Sequence, residues 1–449
     1  MKLFIILKDI AESGGGERVC VNLSNAFSEI GFEVSVISFF RFQDEIPFTL
    51  HKNINVRFLS HTTPKSKNPF KKLFNKSIYR YILSKKVDTI AQQEKPDIVL
   101  ANDGWYIPKA KLDSIQYIRL WHLNAPKKID KRKQKIFNLF DTLVVLSSRE
   151  LNKWQGYHKN VKVIPNFLPF ISQKNTDSNQ HRIISVGRMD RGDQKGFLRL
   201  IDIWEKVQER IKAIYCHTEQ SEVSNTESKK DISCLRTQYD KITIQNDSHE
   251  TTLDSKRLSA EAVCDDFKSC EALSARGLLN INDEARKANS LKRAETATHK
   301  KDLGSWKLII VGDGVMKEQI QAKILEKNLQ DTIILKPFTK DIESEYLNAS
   351  IYAMTSHFEG FGMVLVEASS YALPCIAFDI AAGPSDIIES HTSGYLIEDN
   401  DLQDYADKLI DLMSDKDKRE SMGLQAKQRV KERFSKEAIM PLWEEVFRA

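Results

Sequence analysis

The chain has 449 residues, 41% of them hydrophobic and 29% charged, with a formal net charge of +5. That length exceeds one ordinary hydrophobic core and implies two domains. No run approaches the roughly 18 apolar residues of a bilayer span, which excludes a multispan membrane protein. Residues 1–170 hold 28 Lys and Arg against 15 Asp and Glu, and the remainder 39 against 47, so the basic excess belongs to the first third of the chain.

The opening segment, MKLFIILKDI, has five consecutive apolar residues before Lys8. These are too few for a secretory signal and fit a first buried strand, so a cytoplasmic location is expected. A helix near Glu17–Ile30 and a strand over Val34–Phe39 follow. Further strands are predicted at Ile98–Ala101, Tyr117–Leu120, Thr142–Leu146 and Val161–Ile164. Strands that alternate with helices imply a parallel sheet. Residues 1–171 are read as one Rossmann-like domain and the polar stretch 172–181 as a linker. A second α/β series occupies 182–434, with strands at Ile183–Val186, Lys307–Val311, Ile333–Leu335, Ile351–Met354 and Cys375–Phe378, and a helix from Gly196. Amphipathic helices are expected over Asp401–Met413, Lys416–Phe434 and Lys436–Phe447. Residues 213–303 break the pattern. They are polar and rich in Ser, Thr, Lys and Glu, and they interrupt a helix-to-strand connection as a disordered insertion. Transient helices are conceivable there at Arg257–Ala275 and Asn280–Lys292.

The basic excess gathers in Lys65–Lys86 and Lys127–Lys135. In the first, Phe70, Leu73, Phe74, Ile78 and Tyr81 or Ile82 recur at helical spacing beside lysines. A helix of that kind can lie on anionic lipid headgroups, which makes peripheral contact with a membrane surface an expectation. No RNA- or DNA-reading motif is present, and nucleic acid is not expected as a partner. The six cysteines form no C-x-x-C pair and no zinc-like spacing with histidine, so free thiols are expected.

Five short segments carry chemistry. Thr355–Asp379 reads strand, glycine turn, apolar helix, strand, with Glu359 and Glu367 eight positions apart around Gly360-Phe361-Gly362. A helix that opens on a glycine turn presents unpaired N–H groups and suits phosphate, while the two carboxylates can bracket a sugar diphosphate by accepting hydroxyl hydrogen bonds. Ser13-Gly14-Gly15-Gly16-Glu17-Arg18 opens the first helix, where glycine lets backbone approach a ligand closely. It fails as a dinucleotide fingerprint, because the third glycine and the acidic ribose residue are missing. Gly187-Arg188 and Lys195-Gly196 follow the first strand of the second series and supply a planar fork and a point charge for a diphosphate. His122 ends a strand of the first domain, and Gly312-Asp313-Gly314 forms a turn after Lys307–Val311.

Thr355–Asp379 resembles the EGFGxxxxEA signature of GT-B glycosyltransferases in the large retaining group 1 of family 4. The resemblance covers most of residues 1–210 and 304–449. It implies two Rossmann-like domains facing across a cleft, with the final helix, 435–449, returning to the first. It also implies a transferase that moves a hexose or N-acetylhexosamine from a nucleoside-diphosphate sugar, UDP above others, to a lipid-linked or polysaccharide acceptor in cell-surface glycan synthesis. Catalytic roles carry over to Glu359, His122, Arg188 and Lys195. Donor contacts carry over to Gly15, Gly16, Gly360, Phe361, Gly362, Met363, Val364 and Glu367, with Glu367 on the ribose and Glu359 on the sugar. The Arg188–Lys195 loop departs from the family by about one additional residue. No cofactor and no metal are implied, since Arg188 and Lys195 neutralise the diphosphate. Asp399-Asn400-Asp401 and Asp415-Lys416-Asp417 spell the metal-binding D-x-D of another glycosyltransferase fold, but they stand where helices begin and read as caps. Two alternatives stay open: a scaffolding homologue inactivated by the insertion, and a GT-B sugar-nucleotide epimerase.

Overall fold

The computed structural model describes residues 1–12, 14–61, 69–126, 128, 130–215 and 303–448, with the side chains of 69–75 outside the description. Met1–Glu205 and Trp306–Ala449 form one compact unit, and Lys206–Ser305 form another. Most of the expected insertion, the two helices suggested within it, and the side chains of Phe70, Leu73 and Phe74 lie outside the described residues.

The first unit contains two parallel sheets. In chain order the first sheet takes β1 (Lys2–Leu7), β2 (Glu33–Phe40), β3 (Asn55–Ser60), β4 (Ile98–Ala101), β5 (Gln116–Trp121), β6 (Thr142–Val145) and β7 (Val161–Val163). Their spatial order is β3-β2-β1-β4-β5-β6-β7. The second sheet takes β8 (Arg182–Val186), β9 (Lys307–Val311), β10 (Ile333–Lys336), β11 (Ile351–Met354), β12 (Cys375–Asp379) and β13 (Gly394–Glu398). Here the order is β10-β9-β8-β11-β12-β13. Every pairing is parallel. The apolar runs in β1, β4, β11 and β12 are buried along nearly their whole length, as strands covered on both faces must be. Strand order reverses between β1 and β4 and again between β8 and β11. Ligands of doubly wound sheets bind at the carboxyl ends of strands at such switch points.

Two strands were not anticipated. β3 is a half-buried edge strand with polar residues at both ends, and β13 is a five-residue strand behind a bulky turn. Neither has a long apolar run to announce it. The helix over the basic segment is also longer than its pattern, since α2 spans Pro69–Glu94.

The helices that frame the site are α1 (Gly15–Glu29), α3 (Lys131–Phe137), α4 (Leu151–Gln155) and α5 (197–215), followed by α6 (Lys317–Glu326), α7 (Ile342–Leu347) and α8 (Met363–Ser370). Tyr215 and Gly304, which flank residues 216–302, meet through a hydrogen bond from the Gly304 N–H to the Tyr215 hydroxyl (3.3 Å).

The chain closes with α9 (Pro384–Ile387), α10 (Leu402–Ser414), α11 (Lys416–Arg433) and α12 (Lys436–Arg448). Asp401 caps α10 by accepting from the Gln403 and Asp404 N–H groups, and Asp415 caps α11 through Lys418 N–H. Both D-x-D sequences therefore contribute helix caps, and Asp399 pairs with Arg199. The last helix lies on the first-sheet half. Trp443 and Phe447 pack against Phe27 at centroid distances of 6.2 and 5.0 Å, and Gln116 donates to the Val446 carbonyl (2.8 Å). Burying one such aromatic contributes about 1.5–3 kcal/mol, so α12 ties the two halves of the chain firmly.

Candidate active site

At the first switch point, α1 begins on Gly15, and Gly14 stands before it in an extended conformation. A methyl group added at Gly15 or Gly16 would meet no atom within 4 Å. Packing does not demand glycine at those two positions, which leaves the clear approach to the helix N-terminus as what they supply. Asn102, buried at the end of β4, donates from Nδ2 to the Gly16 carbonyl (3.0 Å). Its Oδ1 lies 3.1 Å from His122 Nε2. With the amide oriented by Gly16, the imidazole carries its proton on Nε2 and keeps a lone pair on Nδ1.

Burial pushes His122 down to about 4, against the helping effect of Asn102 and with Arg119 adding to the depression. The ring is therefore neutral at pH 7. A histidine whose folded value lies below its unfolded value of about 6.5 destabilises the fold as pH drops through that interval, because the unfolded chain takes up the proton first. His122→Asn should thus lose about 2 kcal/mol less stability than wild type between pH 7 and pH 4.5. Urea titrations at the two pH values measure this, and identical losses in both proteins would contradict the placement of the ring.

At the second switch point, the turn after β8 is laced to the Gly312-Asp313-Gly314 turn after β9. Gly187 N–H donates to Val311 O, Met189 N–H to Asp313 O, and Met316 N–H to Met189 O, at 2.9–3.0 Å. Asp313 accepts from Lys317 Nζ and from the Phe338 N–H, so its carboxylate braces the turn. Arg188 points elsewhere: its side chain is 73% exposed and pairs with Asp190 (3.2 Å), not with the cluster around Lys195.

The loop between Arg188 and Lys195 turns through consecutive left-handed residues, Gly192 (φ 81°) and Asp193 (φ 50°). Asp193 then accepts from the Phe197 and Leu198 N–H groups at the start of α5 (both 2.9 Å). Lys195 consequently reaches the end of β11, where Nζ lies 2.7 Å from Glu359 Oε1. Ser356 Oγ donates to the same oxygen (2.6 Å). The buried Arg199 donates to the Thr355 and Ser356 carbonyls and pairs with Asp399 (2.9 Å), which fixes the strand end that carries Glu359.

Gly362 caps α8 in the left-handed region (φ 91°) that its sharp entry requires. The first-turn N–H groups of α8, Met363 and Val364 among them, have no partner within the helix. Phe361 faces the core, edge-on to Phe434 (5.5 Å), so only its backbone remains for a ligand. Gly360 abuts the first-sheet half: a Cβ there would stand 2.0 Å from the His122 carbonyl oxygen. One turn into α8, Glu367 accepts from Arg18 of α1 (2.6 Å) and from the Tyr346 hydroxyl (3.3 Å). Burial raises the Glu367 carboxyl, and Arg18, Tyr346 and Lys195 oppose that rise.

Residues 13–169 match the Glycosyltransferase Family 4 sequence family, and residues 286–429 match Glycosyl transferases group 1. Each half of the chain thus matches a glycosyltransferase family.

Among curated relatives, the amylovoran biosynthesis glycosyltransferase AmsD of Erwinia amylovora is 24% identical and is covered end to end, 99% of each chain. The poly(ribitol-phosphate) alpha-N-acetylglucosaminyltransferase of Staphylococcus aureus is 35% identical over 31% of this chain and 29% of its own length. Among solved structures, a Staphylococcus aureus TarM mutant in complex with Fondaparinux, alpha-GlcNAc-glycerol and UDP superposes with TM-score 0.64 at 15% identity, covering 100% of both chains. Anabaena HepE in complex with UDP-glucose gives 0.59 at 15%, again over 100% of both. The two facing sheets are the GT-B fold, and the enzyme is a glycosyltransferase.

The glycosyltransferase thus brings together Glu359, Lys195, Gly360 and His122 in one place, with Glu367 one helical turn along α8 and Gly16 linked to His122 through Asn102. Arg188 is the expected residue that its conformation leaves apart. Arg18 was read only as the last residue of the glycine loop, and Asn102, Tyr346, Ser356 and Arg199 were not singled out in the sequence. Arg18 follows the glycine turn directly and Asn102 ends a buried strand, so position alone hinted at both. Among the described residues no group of three or more His, Cys, Asp or Glu side chains is placed to hold a metal ion, and no helix is long and apolar enough to cross a membrane.

Proposed function

We propose that the enzyme moves a hexose or N-acetylhexosamine from a UDP-sugar to a lipid-linked or polysaccharide acceptor, with retention of anomeric configuration, in cell-surface glycan synthesis. The carrying observation is the contact of Gly360 with the His122 carbonyl, which sets the Glu359–Lys195 pair of one half beside the histidine of the other. Relatives named for amylovoran, lipopolysaccharide and poly(ribitol-phosphate) glycosylation support the acceptor class, and neighbours solved with UDP or UDP-glucose support the donor.

In this reading Glu367 accepts from the ribose hydroxyls and Glu359 from the donor sugar. Backbone N–H groups of Phe361, Gly362, Met363 and Val364, and the turn at Gly15 and Gly16, meet the sugar and diphosphate. Lys195 takes up charge on the leaving phosphate, joined by Arg188 once its exposed side chain swings inward. These cations serve in place of a metal ion. The C1–O bond to phosphate breaks as the C1–O bond to the acceptor forms on the same face, and the acceptor's proton passes to the departing phosphate oxygen. Neutral His122 is a poor base at pH 7 and a suitable hydrogen-bond partner for a sugar hydroxyl or the phosphate.

The basic first domain faces the acceptor's lipid in this proposal, as a peripheral contact with the cytoplasmic membrane face. Ile78, Tyr81 and Ile82 are exposed on one face of α2, and Lys85 and Lys109 stand over the Tyr81 ring at 5.1 and 5.5 Å. Arg80 of α2 lies close enough to Arg132 of α3 to feel its charge, beyond the larger effect of burial, so the two basic segments converge. Nucleotide release is to be assayed with UDP-, GDP- and dTDP-sugars in the presence of phosphatidylcholine vesicles with or without phosphatidylglycerol. UDP release and sedimentation with the anionic vesicles are the expected results. Release from GDP- or dTDP-sugars alone defeats the donor assignment, and equal sedimentation with both vesicles defeats the membrane assignment.

A further inference from the structure

Arg18 joins α1 to α8 through its ion pair with Glu367. It sits in the first turn of α1, beside Gly15 and Gly16, with its side chain 42% exposed, and it crosses to the other half of the molecule to meet Glu367. The same arrangement recurs at the other glutamate. Lys195 holds Glu359 at 2.7 Å as Arg18 holds Glu367 at 2.6 Å. Each carboxylate assigned to a sugar hydroxyl thus carries one cation, and Arg18 stands beside the open glycine turn of Gly15 and Gly16.

The Glu367 side chain is only 12% exposed, so its charge needs a partner. A ribose diol can replace Arg18 as the hydrogen-bond donor to this carboxylate. The displaced guanidinium then needs an anion, and the donor brings one on the same molecule, one bond system away from the ribose. A methyl group at Gly15 or Gly16 would meet nothing within 4 Å, so a diphosphate can come up to the turn from which Arg18 projects. Arginine presents a planar fork matched to phosphate oxygens, whereas a lysine offers only a point charge.

We propose that Arg18 is a further phosphate-binding cation of the donor site, held on Glu367 and handed to the donor's diphosphate when the ribose takes that carboxylate. The proposal rests on the assignment of Glu367 to the ribose. Binding then exchanges two protein ion pairs for two cation–phosphate pairs and two sets of hydroxyl–carboxylate hydrogen bonds. The donor is thereby recognised by having a sugar diol and a diphosphate at the correct separation, since either alone leaves one exchange incomplete.

The test is calorimetric titration of wild type, Arg18→Gln, Arg18→Lys and Glu367→Gln with UDP and with uridine. Arg18→Gln should weaken UDP binding about 10- to 100-fold, the range of a lost charged hydrogen bond, and leave uridine binding unchanged or tighter. Arg18→Lys should fall between, and it serves alone if the glutamine variant does not fold. An equal loss for UDP and uridine, or no loss for UDP, overturns the proposal and leaves Arg18 as an interdomain clasp. A wild type that binds UDP no better than uridine overturns it as well. Glu367→Gln should weaken both ligands; if uridine binds it as before, the ribose assignment fails, whatever Arg18 does to UDP.

Discussion

Glu359→Gln should lower turnover about 100- to 1000-fold while melting close to wild type, and Lys195→Ala should lose both turnover and stability. The size follows from removing one electrostatic partner of the reacting group, about 3–4 kcal/mol of barrier. The contrast in melting follows from the geometry. Glu359 has a side chain 8% exposed and accepts from both Lys195 Nζ and Ser356 Oγ. Glutamine keeps the volume and an oxygen that accepts from Ser356 and Lys195 while shedding the charge, and the Lys195 ammonium, 20% exposed, retains access to solvent. Lys195→Ala does the reverse, leaving a buried carboxylate with one neutral donor. Breaking a buried pair from one side costs about 3–5 kcal/mol; the Lys195 side chain is 20% exposed and Ser356 stays, so the lower end applies. Calorimetric melting and nucleotide-release rates on the same preparations separate the two variants. Wild-type turnover in Glu359→Gln would remove this carboxylate from the chemistry.

The strands were legible because both sheets are parallel and covered on two faces, which writes them as short uninterrupted apolar runs. Ile98–Ala101, Lys307–Val311 and Ile351–Met354 are read from the sequence to the residue. β3 escaped for the opposite reason, since an edge strand reading Asn-Val-Arg-Phe-Leu-Ser buries too little to show a run. Within the site, Glu359, Lys195 and His122 lie in the loops that follow legible strands β11, β8 and β5, so their gathering at the carboxyl ends of the sheets followed from the parallel strand order. The Arg18–Glu367 pair could not be read, because 349 positions separate the partners and only the facing of two domains joins them. Arg188 shows the converse limit: its place in the chain was legible, but the direction of a solvent-exposed side chain is set by a neighbour such as Asp190.

Gly360→Ala should cut turnover about 100-fold through distance alone. The added Cβ would stand 2.0 Å from the His122 carbonyl oxygen and 3.2 Å from its carbon. Both obstacles are backbone at the end of β5, which cannot rotate aside as a side chain would. The turn bearing Glu359 must therefore back away from the first-sheet half by about 1 Å, and a misplacement of that size typically costs about 100-fold in rate. Overpacking at a tight contact adds a stability loss of about 1–3 kcal/mol. Gly15→Ala supplies the control from the same cleft. Its Cβ meets nothing in the protein within 4 Å, and alanine is the better helix former by about 1 kcal/mol, so the melt should rise slightly. Donor affinity should nevertheless fall, because the methyl group occupies the approach to the α1 N-terminus. One glycine is thus required by the protein's own backbone and the other by what approaches it. The two variants should separate in opposite directions on a plot of melting temperature against nucleotide affinity. Wild-type turnover in Gly360→Ala would show that the working enzyme does not bring Glu359 and His122 together through this contact.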